Sequence, residues 1–67
     1  MNFGIIGAGG LGSNVARAMA RKGLSATISN SRGPASLAPL IEELGPTIHA
    51  GTTAAAAGAN IVLDAVR

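Results

Sequence analysis

Cysteine, tryptophan and tyrosine are all absent from this 67-residue chain. Without cysteine there is no disulfide framework, no thiolate nucleophile and no zinc-ribbon spacing. The single aromatic residue, Phe3, leaves no surface on which nucleic-acid bases could stack. Charge is scarce as well: charged residues make up 12% of the chain, with a formal net charge of +2. The basic residues (Arg17, Arg21, Lys22, Arg32, Arg67) are scattered, so no run of them marks a nucleic-acid or membrane patch. No apolar stretch approaches the ~20 residues of a membrane span. The start, Met1 to Gly10, has no basic leader and is broken by glycines, which makes a poor signal peptide. A soluble, cytoplasmic chain is expected.

What the chain does have is apolar content of 48% and ten glycines, enough to build one small, closely packed domain. Residues 2–6 read as a short buried strand stopped by glycines. A helix is expected from Leu11 to Lys22, with Leu11, Val15 and Met19 facing inward and Asn14, Arg17 and Arg21 outward. Gly23 supplies its left-handed cap, and Leu24 packs back on the last turn. A second strand runs from Leu24 to Ser29 and gives way to Asn30-Ser31-Arg32-Gly33-Pro34. The stripe Leu37, Leu40, Ile41 and Leu44 marks a second helix that stops at Gly45-Pro46. Pro39 belongs in its first turn, where a missing N–H costs nothing, so regular helix is expected from Ser36 or Leu37 after an irregular turn at Pro34. Thr47 to Ala50 form a third strand, Thr52 caps an alanine-rich helix through Ala57 that ends at Gly58, and a fourth strand begins at Ile61. Alternating strands and helices imply a parallel sheet with right-handed crossovers.

Gly7-Ala8-Gly9-Gly10-Leu11-Gly12 matches G-x-G-x-x-G. In a chain so rich in glycine the pattern alone means little, but here it follows a strand and opens a helix, as a phosphate-binding turn requires. Gly7 permits the tight turn, Gly9 lets a pyrophosphate approach the backbone, and Gly12 lets helix and strand pack closely. Amides around Gly10 and Leu11, at the positive end of the helix, would face the phosphates. The alternative is a glycine-rich turn with no ligand. Ser13, in the first helical turn, reads equally as a phosphate donor or a plain helix-start serine. An NAD site usually carries Asp or Glu about 20 residues beyond the motif. This chain has Asn30, Ser31 and Arg32 there, three side chains able to donate to a ribose 2′-phosphate, so the cofactor expected is NADP. The competing view makes them a polar turn with Arg32 solvated.

GIIGAGGLGSNVARAMARKGL, NSRGPASL, LIEELGP and GTTAAAAGANIVL together resemble the N-terminal domain of the coenzyme F-420 (deazaflavin)-dependent NADP oxidoreductases, over essentially all 67 residues. They cover only about the first third of that family's length. More distantly the chain is similar to pyrroline-5-carboxylate reductase and phosphogluconate dehydrogenase domains. The resemblance implies that Gly7, Gly9, Gly12, Asn30, Ser31 and Arg32 hold NADPH, with hydride passing to a deazaflavin or similar acceptor in the full-length family. Departures fall at Gly10, Pro39 and the Asp64-to-Arg67 segment. Asp64 would place a carboxylate in a buried strand, at a cost of several kcal/mol unless paired or hydrated.

The expected fold is therefore the first half of an open α/β, Rossmann-type parallel sheet: four strands in the order 3-2-1-4 with three helices, a truncated half-domain over residues 1–67. Its expected cofactor contacts are Gly7, Ala8, Gly9, Gly10, Leu11, Gly12, Asn30, Ser31 and Arg32. No catalytic or metal residue is assigned: His49 is a strand or edge residue, and Glu42 and Glu43 form a solvated helix face. The chain alone is expected to lack oxidoreductase activity. The alternative function is a non-catalytic nucleotide-binding or assembly module. The apolar fourth strand, expected to be an edge, should drive self-association.

Overall fold

The computed structural model describes residues 2–7 and 9–64. Along them run β1 (Phe3–Ile6), α1 (Gly10–Arg21), β2 (Ala26–Ser29), a 3-10 turn (Pro34–Leu37) continuing into α2 (Ala38–Leu44), β3 (Ile48–Ala50), α3 (Thr53–Ala57) and β4 (Ile61–Asp64). All four strands are parallel and lie in the order β3-β2-β1-β4. This is the order expected for the first half of a Rossmann-type sheet. Ile5 stands opposite Ile28 on one side and Leu63 on the other, and Ala26 opposite Ile48.

Because side chains alternate across a strand, Ile5, Ala26, Ile28 and Ile48 share one face of the sheet. They form the core with Ala16 of α1 and Leu37, while Val15, Met19, Leu40, Ile41 and Leu44 pack around them half-buried. The 3-10 turn places Pro39 at the start of α2, where its missing N–H has no helical partner to lose. Salt-bridging adds a surface tie between the two helices. Arg17 Nε donates to Glu43 Oε2 at 2.7 Å, and Arg17 Nη1 to Asn14 Oδ1 at 3.1 Å. Glu43 is thus not merely solvated. Arg17 draws its carboxyl below the ordinary value, chiefly through that hydrogen bond.

On the opposite face α3 comes very close to the sheet at Gly4. A Cβ added to Gly4 would lie 1.9 Å from the Ala56 carbonyl oxygen, so glycine is what lets the α3 backbone rest on β1. Ala56 is fully buried there. Thr52 caps α3 as expected, its Oγ1 accepting from the Ala55 N–H at 3.1 Å.

Three expectations are corrected. Leu11 does not belong to the inner face of α1: it is 60% exposed, while Gly12 and Ala16 are buried. The face toward the sheet is centred near Gly12, and Leu11 stands about 100° of rotation away from it. Leu24 lies outside β2 and its side chain is exposed, although its N–H does close α1 by donating to the Met19 carbonyl at 2.9 Å, beside Gly23 at φ +71. Finally, β4 is not a buried strand. All four of its residues are exposed, so the Asp64 carboxylate carries no burial cost. Residues 65–67, the expected end of that strand, lie outside the described residues, as does Ala8.

Candidate functional site

The strands end on one side of the sheet, and the chain's polar turns gather there. At the end of β1, Gly7 takes φ +96 and its N–H donates to the Ser29 carbonyl at 2.8 Å. That bond fastens the glycine turn to the end of β2. Gly9 is the N-cap of α1 and has no side chain to satisfy the helix start. The first helical bond runs from Ser13 N–H to the Gly9 carbonyl at 3.2 Å, so the amides of Gly10, Leu11 and Gly12 precede the helical ladder. No acidic residue sits in that first turn. The twelve-residue α1 therefore presents a positive, donor-rich end. A Cβ added at Gly9 or Gly10 would meet nothing within 4 Å, which leaves the space in front of the turn open.

Across from it, β2 ends at fully buried Ser29, and the chain turns through Asn30, Ser31 and Arg32. Gly7, Gly9, Gly10, Leu11, Asn30, Ser31 and Arg32 all line one cavity of about 1050 Å³. Gly12, also expected to contact the cofactor, is buried in the helix instead and does not line the cavity. Its place against the sheet agrees with the packing role of the third glycine. Ser13 lines the cavity as well.

Sequence reasoning missed the polar residues Ser36, Thr53 and Asp64, which also line the cavity. Ser36 belongs to the 3-10 turn and bonds to Asn30, a contact that depends on the turn's geometry. Asp64 was within reach of the sequence. In the order 3-2-1-4 the chain leaves β1 in opposite directions, and ligands of open α/β sheets bind where the order reverses. Asp64, opposite Ile6, ends the strand that borders this point. His49 is exposed on β3 and does not line the cavity. Among the described residues no cluster of His, Asp and Glu could hold a metal, and no helix is long and apolar enough to cross a membrane.

With this geometry in hand, comparison with known proteins is decisive on family. Residues 2–67 match the family described as NADP oxidoreductase, coenzyme F420-dependent. The chain belongs to that family. Similar too is the crystal structure of a hypothetical protein from Sinorhizobium meliloti, 37% identical, with a TM-score of 0.84 over 92% of this chain. The match covers 30% of that protein, so the chain spans less than a third of its relative's length. No curated protein matches the chain. Of the segments that carry the resemblance to this deazaflavin-dependent oxidoreductase family, the fold brings two together at one cavity: the glycine turn and Asn30-Ser31-Arg32.

Proposed function

We propose that the chain binds the adenosine, 2′-phosphate and pyrophosphate of NADP(H), as the first mononucleotide-binding half of an NADP-dependent oxidoreductase. The observation that carries this is the shared cavity. One wall is the uncapped, acid-free start of α1; the other is a turn bearing an amide, a hydroxyl and a guanidinium. In this reading Gly7, Gly9 and Gly10 let the pyrophosphate approach the backbone, and the free amides of α1 donate to it. Asn30, Ser31 and Arg32 donate to the 2′-phosphate, where a carboxylate would repel it. The volume of the cavity is at the upper end of the ~300–1,000 Å³ common for ligand sites. NADP, when bound, supplies the hydride chemistry. In this reading the hydride passes between NADPH and a deazaflavin or similar acceptor in the full-length family.

The test is calorimetric or NMR titration of the chain with NADP+, NAD+ and adenosine 2′,5′-bisphosphate, in wild type and Arg32→Ala. One charged hydrogen bond contributes about 1.5–3 kcal/mol, so Arg32→Ala should weaken NADP+ binding about 10- to 100-fold and leave NAD+ nearly unchanged. Equal affinities for the two dinucleotides, unmoved by the substitution, would refute the reading. A second part of the proposal concerns assembly. The outer edge of β4 is unpaired among the described residues, and in a solution of this chain alone a second copy is the strand available to cover it.

A further inference from the structure

One hydroxyl closes the turn that follows β2. The Gly33 N–H donates to the Asn30 carbonyl at 3.4 Å, so Ser31 and Arg32 occupy the two corners of a four-residue turn. Gly33 holds φ +97, and the chain then enters the 3-10 helix, where Ser36 N–H donates to the Gly33 carbonyl at 3.2 Å. Ser36 Oγ reaches both ends of the turn. It lies 2.7 Å from the Gly33 carbonyl oxygen, 2.9 Å from Asn30 Nδ2 and 3.2 Å from Asn30 Oδ1. A serine hydroxyl has one proton and two lone pairs. With its proton on the nearer Gly33 carbonyl, Oγ accepts from the Asn30 amide. Asn30 then keeps its second N–H for a ligand.

We propose that Ser36 is a positioning residue for recognition of the ribose 2′-phosphate. The inference rests on the NADP reading above and deepens it. Ser31 and Arg32 are both exposed, and ordering them on binding would cost conformational freedom. The Ser36 clamp orders their turn beforehand, so that cost falls on folding. It also fixes the direction of the Asn30 amide, leaving a donor toward an anion that can only accept. NAD has no 2′-phosphate and draws nothing from this order. Ser36 therefore acts on the ratio of the two affinities, a residue specifying the cofactor through Asn30 and the turn.

The experiment compares NADP+ and NAD+ affinities of wild type, Ser36→Ala, Ser36→Thr and Arg32→Ala by calorimetry. Ser36→Ala should weaken NADP+ about three- to tenfold and NAD+ less than about twofold. Ser36→Thr, which keeps the hydroxyl, should restore the ratio. NMR of the nucleotide-free chain supplies a second readout: the bonded proton of the Asn30 side-chain amide should exchange more slowly in wild type and Ser36→Thr than in Ser36→Ala. Equal losses for both dinucleotides in Ser36→Ala, or an unchanged NADP+ affinity, would overturn the inference, as would an Asn30 amide indifferent to the substitution. If Arg32→Ala collapses the ratio while Ser36→Ala preserves it, the clamp alone fails. If wild type shows no preference and Arg32→Ala changes nothing, the NADP reading fails and takes the clamp's recognition role with it.

Discussion

Adding a single methyl group at Gly4 should cost this protein a large share of its stability. The added Cβ would sit 1.9 Å from the Ala56 carbonyl oxygen and 2.7 Å from its carbonyl carbon, where real contacts stay beyond 3.0 Å. Relief requires α3 to lift by about 1 Å, and neither side of the clash can give by a rotamer change, because both are backbone. Overpacking of this kind costs about 1–3 kcal/mol, and more where nothing can yield. Against it stands the entropy an alanine removes from the unfolded chain, about 0.4–1 kcal/mol. The clash wins. A domain of this length has roughly 3–10 kcal/mol in all, so a loss near 3 kcal/mol should lower Tm by about 12–24 °C. Far-UV circular dichroism is the assay, since without tryptophan or tyrosine the chain has no useful intrinsic fluorescence. Gly10→Ala is the control: its Cβ meets open space in a helical position, and Tm should hold or rise slightly. A Gly4→Ala melt within about 3 °C of wild type would refute the claim that α3 rests on that glycine.

Thr52→Ala removes the cap on α3 and should cost about 1 kcal/mol, read as a Tm lower by about 4–8 °C. Ser29→Ala should instead raise Tm, because the Ser29 hydroxyl is buried and has no hydrogen-bond partner among the described residues; a fall in Tm would show that the hydroxyl is satisfied. The Glu43 carboxyl is held below its ordinary value of 4.5 in the folded state, so its contribution is present above that pH and is lost as pH falls through the lower folded value. The stability difference between wild type and Glu43→Gln should therefore vanish in acid and in high salt, and a difference that persists in both would rule out the ion pair as its source. Sedimentation of the purified chain over a wide concentration range should show association, reduced by Val62→Lys, which places a charge on the exposed edge strand; a monomer at every concentration would show that β4 needs no cover.

The architecture was legible because punctuation and periodicity agreed. Gly7, Gly23 and Gly45 all take positive φ where the sequence ends an element, and Thr52 caps where its position suggests. The two turns of the site could be read for the same reason, since each follows directly from the end of a strand. What escaped were relations between residues far apart in sequence. Gly4 read as one residue of a short strand, and nothing local announces that Ala56 lies on it. Arg17 and Glu43, 26 positions apart, meet only because α1 and α2 pack side by side. Leu11 was misplaced for a different reason: spacing by fours fits several adjacent stripes on a helix, and the sheet selected the one with the smallest residues. Asp64 was assigned to a buried strand from the apolar run before it, but a run of apolar residues does not bury a strand when only a five-residue helix and one neighbour adjoin it.

Thr53 of α3 and Asp64 of β4 reach the cavity from the exposed flank, but its two turns draw on a different part of this structure. Both turns of the cavity spring from the best-buried strands, just beyond Ile5 and Ile28, and the bond from Gly7 to Ser29 joins them. Leu37, nearly buried, backs the cavity from the other side. By contrast α3 is five residues long, and β4 is exposed throughout and paired only with β1 among the described residues. Local opening should begin on that flank, where the fewest apolar groups are lost to water. Damage there, as in Gly4→Ala, should then lower global stability without removing the phosphate-binding turn. A ligand bound to the folded state at about 100 times its Kd adds about 2.7 kcal/mol, close to what the clash at Gly4 removes. Saturating NADP+ should thus return the Gly4→Ala melt toward that of the unliganded wild type, and Arg32→Ala should abolish most of that rescue. A Gly4→Ala protein that NADP+ cannot stabilise would show that α3 supports the site as well as the sheet.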